Sequence, residues 1–520
     1  GPMSAGKGLS RRALLAGTAA GSAALATPAF ARPREPRVLS WKGMTDRGVA
    51  AFLGIRYARA GRFAAPVREP LPPTGTRAQT FGPLAPQRNP MTPEMSEDCL
   101  FLNIWTPDAD PRAKRPVMVY FHGGAYNWGS VTDPITQGPH LALQGDVVVV
   151  SVNHRLNAFG YGWLRPFDER FRDSGNLGQL DLICALEWIR EHIAAFGGDP
   201  KRVMVFGQSG GGAKIATLMA MPAADGLFHS AATMSGQQVT AQGPGNAWKR
   251  TQAFMAHLGL EPDDRESLMT LPFERLIEGL EARDPILGGG IYFGPVLDMV
   301  NLQRHPFWPD AAPQSRHIPM ILGNTTDETR AFISPTGPVV SGIDWTNIAE
   351  RLGPQIRIDL RPEWVVEQYR SRFPDWTAEE VFYAASTDGR SWPGQLIEAD
   401  ERAKAGAEKT WVYQLDRESP KDPARGAAHT DDLPYVFGTL DAEGSYSGTG
   451  ERARQISAAM MGAFAGLARD GVPDLAGWEP YRIPERATLM VAEDTIATVS
   501  DPRGWQRELW STAPYVQPGS

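Results

Sequence analysis

The sequence predicts an α/β protein built on a mainly parallel central sheet with helices on its faces. Three observations carry that prediction. Runs such as residues 117–121 (VMVYF) and 147–152 (VVVVSV) are continuously apolar instead of alternating, the pattern of strands buried on both faces. Helical segments lie between such runs, so consecutive parallel strands need right-handed crossovers. The pentapeptide Gly207-Gln208-Ser209-Gly210-Gly211 follows directly on a third run, residues 202–206, which marks a strand breaking sharply into a helix.

Taken in chain order, Gly1-Pro2 before Met3 reads as a tag-cleavage scar. Ser10-Arg11-Arg12-Ala13-Leu14-Leu15, an apolar stretch to about Ala26 and Ala29-Phe30-Ala31 then resemble a twin-arginine export signal with its cleavage site, so residues 1–31 are set apart from the fold. The mature chain, residues 32–520, is expected to be exported, periplasmic or secreted. No later apolar run reaches the ~18 to 20 residues that a bilayer requires, so no stable membrane anchor is expected. The alternation begins at Pro116: strand 117–121, strand 147–152, helix 180–195, strand 202–206, and a small-residue helix 210–221 closed by Pro222. Strands follow at 231–234, 318–322 and 411–415, separated by long inserts at about 237–315 and 333–405. With no linker or repeat in a chain of 520 residues that is 42% hydrophobic, residues 32–520 are expected to make one domain around one large core.

Charge narrows the partners. The 52 basic and 59 acidic residues are interspersed, giving a net charge of −7 with no basic stripe, which argues against nucleic acid. Cys99 and Cys184 are the only cysteines, too few for a disulfide framework or a cysteine-ligated metal. Cys184 falls inside the 180–195 helix as a small core residue. Nothing in the sequence indicates an oligomeric state.

The chemistry gathers where the parallel strands end. A strand that turns at once into a helix forces the residue at the turn into a strained conformation, and flanking glycines remove the clashes. The five-residue pattern alone is weak in a chain with 54 glycines. Gly389-Arg390-Ser391-Trp392-Pro393 shows this, since it lacks the last glycine and a preceding strand and is set aside. Context makes Ser209 the candidate nucleophile. The 117–121 strand runs into His122-Gly123-Gly124-Ala125-Tyr126, where small residues let N–H groups converge as an oxyanion hole, with the N–H of Gly210 as partner. A serine hydroxyl needs a histidine base, and the histidine needs an acid. On such a fold the order is serine, acid, histidine. Of the nine histidines only His429 follows both the serine and an acid-bearing loop in that order; His317 precedes its strand, at the wrong end. The acid loop is Gly323-Asn324-Thr325-Thr326-Asp327-Glu328, and the residues themselves do not separate Asp327 from Glu328.

From about Val38 to Trp510 the chain resembles the type-B carboxylesterases, the family of the cholinesterases and para-nitrobenzyl esterases. The segments that carry the resemblance include Phe52-Leu53-Gly54-Ile55-Arg56-Tyr57-Ala58, Glu97-Asp98-Cys99-Leu100-Phe101-Leu102-Asn103-Ile104-Trp105, Asn153-His154-Arg155-Leu156, Gly175-Asn176-Leu177-Gly178, Ala195-Phe196-Gly197-Gly198-Asp199-Pro200 and Leu433-Pro434-Tyr435-Val436-Phe437-Gly438. It implies an α/β-hydrolase fold with helical inserts roofing the site, and ester hydrolysis through an acyl-enzyme. It also implies Ser209, Glu328 and His429 as catalytic triad, with Gly124, Ala125 and Gly210 as oxyanion donors. No cofactor and no metal are implied, only a small-molecule ester. Glu97 and Arg155 resemble the family's buried ion pair. Three positions depart from the family pattern. Gln208 stands where glutamate is usual, which weakens any case for a cationic substrate. Ala125 replaces a third glycine, and Ala85 replaces the cysteine that would pair with Cys99, leaving Cys99 a free thiol. The same triad also serves acyl transfer and thioester, lactone or carbamate hydrolysis. The family's non-catalytic adhesion proteins lack the serine, so Ser209 argues against a binding module. Tyr126, Asn127, Trp128 and Gln208 are expected in the pocket wall. Trp345, Trp364, Trp376 and Trp392 belong either to its roof or to the core of the second insert.

Overall fold

An eleven-stranded sheet organises the chain. Its strands are β1 (Met44–Asp46), β2 (Val49–Arg56), β3 (Phe101–Thr106), β4 (Arg115–Phe121), β5 (Val148–Val152) and β6 (Gly198–Gln208). They continue with β7 (Ser230–Met234), β8 (Met320–Thr325), β9 (Thr410–Leu415), β10 (Ala487–Val491) and β11 (Ile496–Ser500). The spatial order is β11-β10-β9-β8-β7-β6-β4-β5-β3-β2-β1. The seven strands from β5 to β10 are parallel neighbours, and antiparallel strands close both edges. The computed structural model describes residues 34–88 and 94–520, so the expected export signal lies outside it. Pro36–Ser520 form one compact unit.

Side-chain alternation along β4 explains the layers. Val117, Val119 and Phe121 point to one face, where they meet Leu182, Cys184, Leu186 and Ile189 of the Leu177–His192 helix and Ile215 and Leu218 of the Gly210–Leu218 helix. Met118 and Tyr120 point to the other, against Ile456, Met460, Phe464 and Leu467 of the Glu451–Asp470 helix. Each such side chain stabilises the fold by roughly 1.5–3 kcal/mol when fully buried, which is why both faces must be apolar. Cys99 and Cys184 are both free and buried.

The chain passes from β4 to β5 on one side and returns to place β6 on the other side of β4. Gly207 of β6 and Phe121 of β4 are register partners, so the loops after these two strands leave the sheet side by side. This is the switch point at which ligands bind in open α/β sheets. The inserts build apolar clusters of their own. Phe254, Met255, Leu268 and Phe293 pack with Phe159 and Tyr161, while Ile348, Val365, Tyr369 and Phe382 pack with Leu509 and Trp510 of the Gly504–Trp510 helix.

One expected ion pair is not formed. Arg155 follows β5 and turns inward to Asp181 of the Leu177–His192 helix, with Nη2 2.7 Å from Oδ1 and Nε 2.9 Å from Oδ2. Both side chains are buried. Glu97 instead lies in a half-buried loop, where it makes a two-pronged contact with Arg62 at 2.8 Å. The buried cation takes the acid that the helix already holds inside.

Candidate active site

Ser209 sits between the end of β6 and the Gly210–Leu218 helix with φ 55° and ψ −123°. That is a conformation L-residues rarely adopt, and it is held by what surrounds it. Gly207, Gly211 and Gly236 leave no room for a side chain: a Cβ on Gly211 would lie 1.9 Å from the Phe121 carbonyl oxygen, and one on Gly236 1.9 Å from the Ser209 carbonyl oxygen. These are backbone atoms and cannot swing aside. Gly211→Ala is therefore expected to destabilise the protein by more than about 3 kcal/mol, at the upper end of overpacking costs. Gly245→Ala, where a Cβ meets nothing within 4 Å, is the matched control. Urea midpoints of the two variants check this; similar midpoints would contradict the packing argument.

The loop after β4 passes directly over the start of that helix. A Cβ on Gly210 would lie 2.0 Å from the Ala125 carbonyl oxygen. Gly124 and Ala125 both have positive φ, 94° and 52°. The N–H groups of Gly124, Ala125 and Gly210 donate to no acceptor among the described residues. Beneath the loop, the buried Lys214 donates from Nζ to the His122 carbonyl at 3.0 Å. Burial holds that amine well below the ordinary lysine range. The His122 and His154 rings stack beside it with centroids 4.7 Å apart.

His429 reaches the same place from the loop after β9. Its Nδ1 lies 2.6 Å from Oε2 of Glu328, which follows β8. Because an ionised carboxylate only accepts, Nδ1 carries the proton and Nε2 is left to accept. Burial alone would push Glu328 up; the His429 charge and hydrogen bonds from His429, Ser235 and the Thr325 N–H hold it below the ordinary carboxylate value. Ser235 Oγ and Asn324 Nδ2 both donate to Oε1, at 2.5 and 3.1 Å. Neither is among the sequence-predicted site residues, although Asn324 lies in the expected acid loop and Ser235 directly follows the expected strand 231–234. Asp327 faces the other way, accepting from the Ala427 N–H at 3.0 Å and standing 3.8 Å from Arg330.

Asp432, three residues past His429, adds a pH dependence. It is fully buried and accepts from Tyr413 Oη at 2.6 Å. Burial pushes its carboxyl up to about 6, the Tyr413 hydrogen bond opposes this, and the charge of Glu328 adds to it. The folded chain then binds a proton more tightly than the unfolded one, so this contribution to stability is present below 3.8 and is lost as pH rises to about 6. Asp432→Asn is expected to recover on the order of 3 kcal/mol at neutral pH. Denaturant titrations at several pH values check this, and an unchanged slope between pH 4 and pH 6 would contradict it.

Ser209 and His429, with Glu328 behind the histidine, thus meet at one cavity beneath a glycine-rich loop. The family model described as "Carboxylesterase family" matches residues 39–503. The chain belongs to the carboxylesterase family. It is 32% identical over 492 residues to a para-nitrobenzyl esterase of Bacillus subtilis (strain 168), covering 90% of this chain and 96% of the relative. It is likewise 32% identical to a phenmedipham hydrolase of Pseudarthrobacter oxydans, over 88% of this chain and 94% of that one. A crystal structure of a Geobacillus stearothermophilus carboxylesterase superposes with a TM-score of 0.81 at 33% identity, over 92% of this chain and 99% of the other. The fold is that of an α/β-hydrolase, and the chain is a carboxylic ester hydrolase.

In this carboxylesterase a cavity of about 450 Å³ opens on Ser209 and His429. Trp128, Gln208, Tyr292, Phe332, Arg390 and Gln517 are among its walls. A second cavity of about 390 Å³ adjoins it and shares Gly124, Trp128, Gln208 and Thr430. Tyr126, expected in the wall, is instead fully buried, with its hydroxyl donating to Gln238 at 2.8 Å. The positive φ of Ala125 turns the backbone so that Tyr126 enters the first insert's apolar cluster. Asn127 braces the same insert, accepting from the Phe293 N–H at 3.4 Å. None of the four insert tryptophans lines this cavity: Trp345, Trp364 and Trp376 lie half-buried against the second insert's apolar cluster, Trp376 stacked on Phe373 at 3.9 Å, and Trp392 is buried under Arg503. Among the described residues no helix is long and apolar enough to cross a membrane, and no cluster of His, Cys, Asp or Glu is arranged to hold a metal ion.

Proposed function

We propose that the chain hydrolyses small carboxylic esters through an acyl-enzyme on Ser209, with His429 as general base and Glu328 as its orienting acid. Ser209 Oγ attacks the ester carbonyl while Nε2 of His429 takes the hydroxyl proton. The tetrahedral oxyanion is held by the N–H groups of Gly124, Ala125 and Gly210, each of such donors contributing about 3–4 kcal/mol in comparable sites. Collapse breaks the bond to the leaving oxygen, which departs as the alcohol with the proton from His429. Water then attacks the acyl-enzyme by the same steps and returns the free serine and the acid. Every step is carried by side chains and backbone N–H groups of this chain, with no cofactor required. The observation that carries the reading is the 2.6 Å contact between His429 Nδ1 and Glu328 Oε2 on the cavity that also opens on Ser209.

The para-nitrobenzyl esterase relative makes a para-nitrobenzyl ester a reasonable first substrate beside a p-nitrophenyl series from acetate to decanoate. A fluorophosphonate probe tests the nucleophile directly: it is expected to label Ser209 and to block turnover together. Labelling elsewhere, or turnover that survives complete labelling, would overturn the assignment. Product partition between water and an added alcohol separates hydrolysis from acyl transfer. The twin-arginine run at Ser10–Leu15 supports export of the mature chain, which fractionation of cells expressing the full sequence would test.

A further inference from the structure

The run Gly389-Arg390-Ser391-Trp392-Pro393, set aside as a serine motif, returns as part of the cavity wall. Arg390 and Ser391 line the space that opens on Ser209 and His429. Arg390 belongs to a single π-helical turn, Thr387–Ser391, a local irregularity that recurs at functional sites. The turn is fixed by close packing: a Cβ on Gly389 would lie 2.6 Å from the Trp510 ring.

The guanidinium of Arg390 has no carboxylate within ion-pair distance among the described residues. Its polar side-chain partner is the neutral Gln355, 3.2 Å from Nη1. Asp388, the acid on the same turn, is already engaged by Arg503 and by Tyr369 Oη at 2.6 Å. The groups that face Arg390 from neighbouring elements are Arg357, which repels it, and Tyr515. Arg357 donates from Nη1 to the carbonyl oxygens of Pro354 and Ile356. Burial and Arg357 together hold Arg390 below the ordinary arginine range, at about 10, so it is still charged at neutral pH. Arg390 lies over the Phe332 ring at 5.2 Å, and Phe332 meets the His429 ring edge-on at 5.3 Å. That ring touches both the fixed cation and the proposed base.

No aspartate or glutamate lines this cavity, and Gln208, beside the serine, is neutral. Arg390 is its one permanently charged wall residue. A partly desolvated cation with no protein counter-ion, held where substrate must lie, is set up to receive an anion, and a planar guanidinium fits a carboxylate in two-pronged fashion.

We infer that Arg390 selects esters that retain a free carboxylate, such as half-esters of dicarboxylic acids, by pairing with that carboxylate while Ser209 attacks the ester carbonyl. This rests on the proposed acyl-enzyme on Ser209 and adds a substrate class to it. The covalent steps are unchanged; Arg390 supplies binding and orientation.

Two substrate pairs that differ by a free carboxylate test the inference on the full-length protein. One carries the charge on the acyl side, mono(p-nitrophenyl) adipate against p-nitrophenyl hexanoate; the other carries it on the alcohol side, m-acetoxybenzoate against phenyl acetate. In at least one pair, Arg390→Gln is expected to lower kcat/KM for the anionic member about tenfold or more, mainly through KM, while its neutral partner stays within about twofold. Arg390→Lys keeps part of the preference, because the charge remains and the fork is lost. The inference is overturned if the anionic-to-neutral ratio does not change in either pair, or if both members fall equally. Native protein that turns over none of the four esters would instead overturn the ester-hydrolysis reading beneath it.

Discussion

Replacing Ser209 by alanine is expected to lower kcat/KM for a p-nitrophenyl ester by roughly 10⁵- to 10⁶-fold, the scale seen when the nucleophile of a serine enzyme is removed. The reason lies in how little else changes. Alanine lacks only Oγ, which faces the cavity, so the elbow keeps the packing of Gly207, Gly211 and Gly236 around it. The strained φ of 55° is imposed by the sheet and helix and is borne equally by alanine. Folding stability should therefore move by less than about 1 kcal/mol, the range of substitutions that touch no core contact. What remains is whatever the proposed oxyanion donors Gly124, Ala125 and Gly210 do to polarise a bound carbonyl, which is expected to leave a small residual rate over water. Initial rates beside a thermal melt of the same sample make the check. A folded Ser209→Ala protein with undiminished turnover would sink the acyl-enzyme mechanism.

The legible parts of this fold were those dictated by local chemistry. Val148–Val152 is five buried residues in a row, and only a central parallel strand has use for that pattern. Glycines beside Ser209 were readable because backbone crowding at a strand-to-helix turn admits nothing else. Strands β1 to β3 left a weaker trace. They pair antiparallel at the sheet edge, and β2 mixes buried and half-buried positions with a register shift between Phe52 and Ile55.

Side-chain direction was the harder part. Glu97 and Arg155 both looked like members of one pair, but which acid a cation meets depends on which way the loop after β5 turns, and that turn brings Arg155 to Asp181. Tyr126 failed as a wall residue for the same reason, since a single positive φ at Ala125 sends its ring inward. Three of the four insert tryptophans went half-buried to the second insert's apolar cluster, and Trp392 to the underside of Arg503. Arg390, by contrast, carried no signal in the sequence beyond a rejected motif. Its interest comes from what is missing around it, and the absence of a counter-ion is visible only once Asp388 is seen to face elsewhere.

Glu328→Gln is expected to cost about 10⁴-fold in kcat, and Asp327→Asn far less, although the two acids are adjacent. Glu328 Oε2 accepts the Nδ1 proton of His429 at 2.6 Å and so fixes the tautomer that leaves Nε2 free to act as base. An amide can turn its NH₂ toward Nδ1, which favours the opposite tautomer and leaves Nε2 protonated when serine approaches; the comparable change in another triad costs about 10⁴. In that orientation the amide oxygen still accepts from Ser235, Asn324 and the Thr325 N–H, which converge on Oε1, but without the negative charge they stabilise. Asp327 touches no part of this. Its carboxylate caps the Ala427 N–H, so Asp327→Asn loosens the histidine loop without altering the tautomer. The pH dependence separates the two roles further. Because Glu328 is held below its ordinary value in the folded chain, the stability it contributes is present above 4.5 and is lost as pH falls through the folded value. Glu328→Gln should therefore flatten the acid side of a denaturation profile as well as slow turnover. Equal losses of activity in the two variants would mean that the hydrogen bond to His429 does not orient the base.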